Sequence, residues 1–257
     1  MARSTGCLTD AVSTPDPLAD WTRGEHTHDG TTHPVYRRGS GPGVVVVHEI
    51  AGMTPEVVAF ADEVVAAGFT VVLPHLFGTP GKPVGVAYAL DTLRRVCVSR
   101  EFTTLATGQT TPIAGWLRSL ARELHGELGG PGVGALGMCF TGGFALAMMV
   151  DTSVAAPVLA QPSAPFPVSP GRSRDVNLSP EDLAVVKDRA AAGCQVLGLR
   201  YRQDPAVGRR FETLTRELGE AFLKVEFEGR KHSTLTLHRQ QEGVDRVLAF
   251  FEEKLRG

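Results

Sequence analysis

Gly137-Met138-Cys139-Phe140-Thr141-Gly142-Gly143 is the stretch on which the reading of this chain turns. The apolar run Val133-Gly134-Ala135-Leu136 before it reads as a buried strand. Residues 144–150, Phe-Ala-Leu-Ala-Met-Met-Val, read as a buried helix. A cysteine therefore stands at a sharp strand-to-helix turn. Such a turn strains the backbone at its tip, and a small neighbour, here Gly137, relieves the crowding. The gain is chemical. The sulfur is lifted out of the sheet, and the helix N-terminus behind it favours negative charge. The N–H of the next residue, Phe140, points at a developing oxyanion. The elbow pattern is Gly-x-nucleophile-x-Gly. Here Thr141 takes the last place and the glycines are displaced to 142 and 143. A structural cysteine is the competing reading, because free Cys is among the most buried residue types.

Outward from the elbow, strands and helices alternate. Residues 43–48 hold four consecutive valines, a run that suits a central strand buried on both faces. Thr54-Pro55-Glu56 opens a helix, with Thr54 as its cap and Pro55 at its first position, and Gly68 stops it. Residues 69–74 are the next strand, and a strand–helix–strand unit implies parallel pairing. A short helix over 88–98 carries Arg94 and Arg95, with Arg100 just beyond. Trp116, Leu117, Leu120 and Leu124 share one face of an amphipathic helix over 113–128. Further strands are expected at 155–159, 194–200 and 221–227. Helices are expected from Ser179-Pro180, over 207–218 and over 242–255. Residues 161–177, with their prolines, form a long loop near the sheet edge or the site. The pattern predicts an α/β fold with a mostly parallel central sheet and helices on both faces. Residues 34–257 are expected to be one domain, and 1–33 a polar, turn-rich arm. That arm holds His26, His28 and His33, which read as solvated loop residues more readily than as metal ligands.

Composition excludes several classes. At 257 residues the chain suits one large core. A formal net charge of -2 gives no field for nucleic acid or anionic membrane. No apolar run approaches the ~20 residues of a membrane helix, and residues 1–20 lack the apolar core of a secretory signal. The cysteines, at 7, 97, 139 and 194, have no metal-ligand or CxxC spacing. The expectation is a cytoplasmic protein with reduced thiols, no cofactor and no metal, acting alone or as a small homo-oligomer on a small molecule.

Three polar residues share one address. Cys139, Asp204 and His232 each follow an expected strand, at the end where parallel sheets build their sites. Their order is nucleophile, acid, histidine. A free thiol is only a few per cent ionised at neutral pH, so it needs a base. His232 can take its proton, and Asp204 can orient the imidazole. Asp204-Pro205 is also ordinary turn chemistry, and His232 after Gly-Arg-Lys is also a plausible solvated histidine. Glu49 ends the valine strand beside the elbow, and an acid there is costly unless used or paired. Against the sulfur it holds a neutral thiol at rest, because like charge opposes the thiolate. Moving it away releases the thiolate to His232. His48 and His75 also end strands and are expected near the pocket.

Taken together these residues resemble the dienelactone hydrolase family of α/β-hydrolases. The likeness rests on Val47-His-Glu-Ile-Ala-Gly52, residues 66–74, Gly137-Met-Cys-Phe140 with Gly142-Gly143, Asp204-Pro205 and His232. It implies the α/β-hydrolase fold and a Cys139-Asp204-His232 triad. It also implies a Glu49 that hydrogen-bonds the resting thiol and swings away when substrate enters, and an oxyanion hole of the Ile50 and Phe140 N–H groups. The implied activity is hydrolysis of a small lactone or enol ester, as in a carboxymethylenebutenolidase, through a cysteine acyl-enzyme. Thr141, His75 and Ser233-Thr234-Leu235-Thr236 depart from the family pattern, the last where a substrate-binding arginine is usual. Arg94, Arg95 and Arg100 are the remaining candidates for an anion clamp. The rival readings are lactone formation or acyl transfer on the same triad, a non-catalytic ligand-binding protein, and a redox-sensing thiol.

Overall fold

The computed structural model describes residues 16–99, 101–102 and 106–257. In chain order its elements are β1 (Thr22–His28), β2 (Thr31–Arg38), β3 (Gly43–Val47), α1 (Pro55–Ala66), β4 (Thr70–Pro74), α2 (Val86–Val98) and α3 (Ile113–Leu128). There follow β5 (Val133–Met138), α4 (Gly142–Met148), β6 (Val154–Ala160), α5 (Pro170–Arg174), α6 (Pro180–Ala191), β7 (Val196–Tyr201), α7 (Arg210–Leu218), β8 (Phe222–Phe227) and α8 (Gln241–Leu255). The strands form one sheet in the order β1-β2-β4-β3-β5-β6-β7-β8. Among the described residues only β1–β2 and β2–β4 pair antiparallel.

The valine strand shows why the sheet is covered twice. Val45 and Val47 pack into a core with α3, α4, α6 and α7, while Val44 and Val46 face α1 and α8 on the other side. Side chains alternate along a strand, so a continuous apolar run is needed to fill both layers. Thr54 caps α1, its hydroxyl accepting from Val57 N–H, as its position before Pro55 leads one to expect. Among the described residues no helix is long and apolar enough to cross a membrane.

Three boundaries differ most from the sequence reading: the stretch expected as a loop over 161–177 holds the short α5, the helix expected from 207 starts at Arg210, and the N-terminal arm is shorter. The polar stretch expected as an arm to residue 33 contains, from Thr22 on, the edge hairpin of the sheet. Of the seven β1 residues only His26 is buried, so no period-two apolar pattern marks the strand. His26 stacks edge-on against Trp116 and contacts Ser119 and Glu123 of α3; His33 also meets the same indole edge-on. These two histidines fasten the hairpin to α3. His28 is half-exposed beside Asp29.

The strand order sets the stage for chemistry. From β3 the chain goes first to β4 on one side, then to β5 on the other. β3 and β5 are neighbours, so the crevice beyond their C-terminal ends is the topological switch point of the sheet.

Candidate active site

Cys139 sits at φ +55°, in the left-handed region that a non-glycine residue rarely adopts. Gly137 makes this possible. A Cβ on it would lie 2.1 Å from the carbonyl oxygen of Thr141, which is backbone and has nowhere to go. Gly137→Ala is therefore expected to cost at least about 3 kcal/mol, the upper range for forced overpacking. Urea unfolding checks this, and an unchanged midpoint would show that the elbow relaxes freely.

Thr141 explains the displaced glycines. Its buried hydroxyl accepts the Met138 N–H at 3.1 Å and lies 3.1 Å from the carbonyls of both Val47 and His48. The threonine thus ties the turn after β5 to the end of β3, across the switch point. Close packing falls instead to Gly142, where a Cβ would lie 2.6 Å from Cα of Pro162. Phe140, behind the cysteine, is wedged among Phe77, Phe102, Phe144 and Phe166, with centroids 5.5–6.2 Å apart.

Asp204 and His232 meet as the sequence order leads one to expect. Past β7 and β8 the two chains stay paired, Arg202 N–H donating to Phe227 O and Gln203 N–H to Gly229 O. That extension carries Asp204 to the His232 loop, where Oδ2 lies 2.6 Å from Nδ1. The other carboxylate oxygen accepts the Ala206 N–H at 2.9 Å. Turn chemistry and imidazole orientation are thus both served by one buried side chain, one oxygen each. Burial works against a charged His232 ring. The Cys139 sulfur and the Asp204 carboxylate outweigh it and raise the histidine well above the ordinary imidazole range.

Glu49 is buried, as placed at the end of β3, but its partners were not foreseen. Oε2 accepts from Ser233 Oγ at 2.9 Å and from Gln161 Nε2 at 3.5 Å, and Oε1 accepts from the Thr236 hydroxyl. Gln161 in turn accepts from the hydroxyl of Thr234 at 2.6 Å. Burial raises the Glu49 carboxyl, while Thr236, His232, Ser233 and Gln161 draw it back toward the ionised form. The Cys139 sulfur lies 3.4 Å from Ser163 Oγ, besides its interaction with the His232 ring. The Glu49–thiol contact implied by the family resemblance is not made in this arrangement: the carboxylate is seated in a nest of hydroxyls.

His48, beside it, is fully buried. Its Nε2 accepts the Leu76 N–H at 3.1 Å, which leaves the proton on Nδ1, facing the Glu49 carbonyl at 3.2 Å. Burial holds this ring neutral, with its pKa down at about 3. The unfolded ring takes a proton below about pH 6.5, the folded ring only near 3. Stability thus falls as pH drops through that window, by about 1.4 kcal/mol per pH unit from this residue. His232, raised rather than lowered, is charged in both states over most of it and adds little slope. His48→Gln keeps the acceptor for Leu76 and loses the titration. Its urea stability between about pH 6 and 4 is expected to fall less steeply than the wild type's by that amount; parallel curves would refute a buried neutral ring. His75 is half-buried, Nε2 3.1 Å from the Gly78 carbonyl.

Of the arginines expected as an anion clamp, Arg94 and Arg95 make no contact with the triad among the described residues. Arg94 is exposed on α2. Arg95 pairs with Asp91 one turn earlier at 3.0 Å, and lines a cavity of about 330 Å³ with Phe77, Lys82 and Tyr88 that neither Cys139 nor His232 borders. Arg100 lies outside the described residues. Sequence reading missed Gln161 and Ser163, which stood at the start of a proline-rich loop with no motif of their own. Ser233 and Thr236 were noted only for not being arginine.

Residues 32–228 match the dienelactone hydrolase family. The chain belongs to that family. It is a hydrolase of α/β-hydrolase fold. Among solved structures, a protein from Klebsiella pneumoniae subsp. pneumoniae MGH 78578 assigned as a dienelactone hydrolase superposes with a TM-score of 0.62 at 18% identity. That match covers 91% of this chain and 99% of the other. A cold-adapted esterase from an Arctic intertidal metagenomic library gives a TM-score of 0.61 at 16% identity, covering 91% and 93%. At these identities the likenesses establish the fold of this family member. No curated protein matches the chain in sequence.

Proposed function

We propose that this dienelactone hydrolase family member cleaves a small lactone or enol ester by way of a Cys139 acyl-enzyme. The observation that carries the reading is a strained elbow cysteine, φ +55°, whose sulfur interacts with the ring of a His232–Asp204 pair at 2.6 Å. With the shared proton of the Cys139–His232 pair on the imidazole, the thiolate attacks the acyl carbon. The N–H groups of Ile50 and Phe140 receive the oxyanion; that of Ile50 donates to no group among the described residues. Collapse expels the enolate, which His232 protonates. Water, deprotonated by His232, then attacks the thioester and expels the thiolate. Enol esters suit this nucleophile, because a poor alkoxide leaving group returns the thiol instead. Asp204 keeps the imidazole in the tautomer with Nε2 toward the sulfur. A strained backbone and a paired imidazole have no evident use in a binding protein, which favours catalysis over that rival.

Intact-mass spectrometry after mixing with p-nitrophenyl acetate tests the reading. The expected result is a transient acetyl adduct that maps to Cys139, with continuing p-nitrophenol release. Release without any adduct at Cys139 would move the chemistry elsewhere, and no adduct with no release, in wild type and in Glu49→Gln alike, would end the hydrolase reading.

A further inference from the structure

The sulfur of Cys139 faces a hydroxyl that no part of the triad accounts for. Ser163 is 1% exposed, and its Oγ lies 3.4 Å from Cys139 Sγ. Its backbone N–H donates to the Cys139 carbonyl at 2.9 Å, so main chain and side chain both address the cysteine. The turn that carries it, Gln161-Pro162-Ser163, is pressed onto the elbow, since Pro162 occupies the space a Cβ on Gly142 would need. The same turn supplies Gln161 to Glu49 at 3.5 Å. One short segment after β6 therefore touches the carboxylate at one end and the sulfur at the other.

We propose that Ser163 is a positioning residue of the nucleophile, whose hydroxyl donates to the Cys139 thiolate while the neighbouring Gln161 helps hold Glu49 away from it. This rests on the reading of Cys139 as nucleophile. The chemistry is that of a buried hydroxyl with one neighbour. Among the described residues Ser163 Oγ has no hydrogen-bond partner except this sulfur. With a thiol present either atom can donate. Once the sulfur is ionised only the hydroxyl can, and a buried O–H without an acceptor is costly. The O–H dipole then favours the thiolate, whereas a carboxylate in the same place opposes it. A thioester sulfur is a poor acceptor. The contact is therefore strongest before acylation and again as deacylation expels the thiolate. The ionisable groups on the converging strand ends are His48 and Glu49 after β3, His75 after β4, Asp204 after β7 and His232 after β8. The hydroxyl adds a neutral donor to that set, on the side of β6.

The test reads the sulfur directly. Wild type, Ser163→Ala and Ser163→Thr react with dithiobis-nitrobenzoate from about pH 5 to about pH 10, with Cys139→Ala subtracting the other three cysteines. Loss of a hydrogen bond to a charged group is worth about tenfold. In Ser163→Ala the midpoint of the rate profile thus moves up by about one pH unit. Nucleophilicity rises as the thiol becomes less acidic, so the acid limb falls about threefold while the alkaline plateau rises about threefold. Ser163→Thr, which keeps the hydroxyl, follows the wild type. The crossing curves separate a donor to the thiolate from a packing role, which lowers the rate at every pH. Coincident profiles, or a uniform loss without crossing, overturn the proposal. A melting temperature within a few degrees of wild type excludes misfolding as the cause, and only one buried oxygen is removed. If p-nitrophenyl acetate acylates Cys139 but the curves do not cross, Ser163 fails and the hydrolase reading stands. If the curves cross but no ester acylates the protein, Ser163 holds the thiolate and the hydrolase reading fails.

Discussion

Cys139→Ala is expected to lower ester turnover by at least about 10⁴-fold, judged from the loss of a triad nucleophile in enzymes where the elbow and base survive. The truncation leaves φ at 139 available to alanine at similar strain, so fold and binding persist while the acyl-enzyme is lost. The oxyanion donors and His232 remain and can support only direct attack by water. The drop belongs in kcat, with KM little changed, because the missing bond forms only on the way to the acyl-enzyme. Cys139→Ser is expected to fall nearly as far. A serine hydroxyl is a much weaker acid than a thiol, so a site arranged around a thiolate leaves it un-ionised. Steady-state kinetics with p-nitrophenyl acetate checks both. Activity within tenfold of wild type in the alanine variant would mean another group attacks.

Asp204→Asn is expected to cost about 10⁴-fold in kcat, the size of the same change in a Ser-His-Asp triad. The structure supplies a reason particular to this chain. Both carboxylate oxygens accept, one from Ala206 N–H at 2.9 Å and one at His232 Nδ1 at 2.6 Å. An amide has one oxygen. If it serves the turn, its NH₂ faces His232 and forces the tautomer with the proton on Nε2, toward the sulfur, so the base is lost. If it serves His232, its NH₂ opposes the Ala206 N–H inside a buried turn, at the cost of an unpaired donor. Either outcome is diagnostic: the first gives a folded, inactive protein, the second a less stable one with partial activity. Comparing kcat with the urea midpoint separates them, and a variant normal in both would show that Asp204 serves only the turn.

Much of the fold was legible because it rests on local signals. The valine run, the Thr54 and Ser179 caps and the Gly68 stop are decided within a few residues, and each is found where the sequence puts it. The edge hairpin was not legible. An edge strand with most of its side chains exposed carries no apolar alternation, and His26 acquires meaning only from Trp116, which lies far along the chain. The site divides in the same way. The sequence by itself determined the elbow, through Gly137 and Cys139, and the order of cysteine, aspartate and histidine at successive strand ends. It could not say which strand lies beside which. Only the order β3-β5-β6 puts Glu49 and Ser163 on opposite sides of Cys139, and only the loop past β8 brings Ser233 and Thr236 onto Glu49. The arginines of α2 read as clamp candidates by charge alone, yet the fold turns Arg95 to Asp91. Hydrogen bonds reach about 3 Å, whereas these partners stand tens of residues apart. Chain order names the chemical groups, and the packing of the sheet decides which of them the sulfur meets.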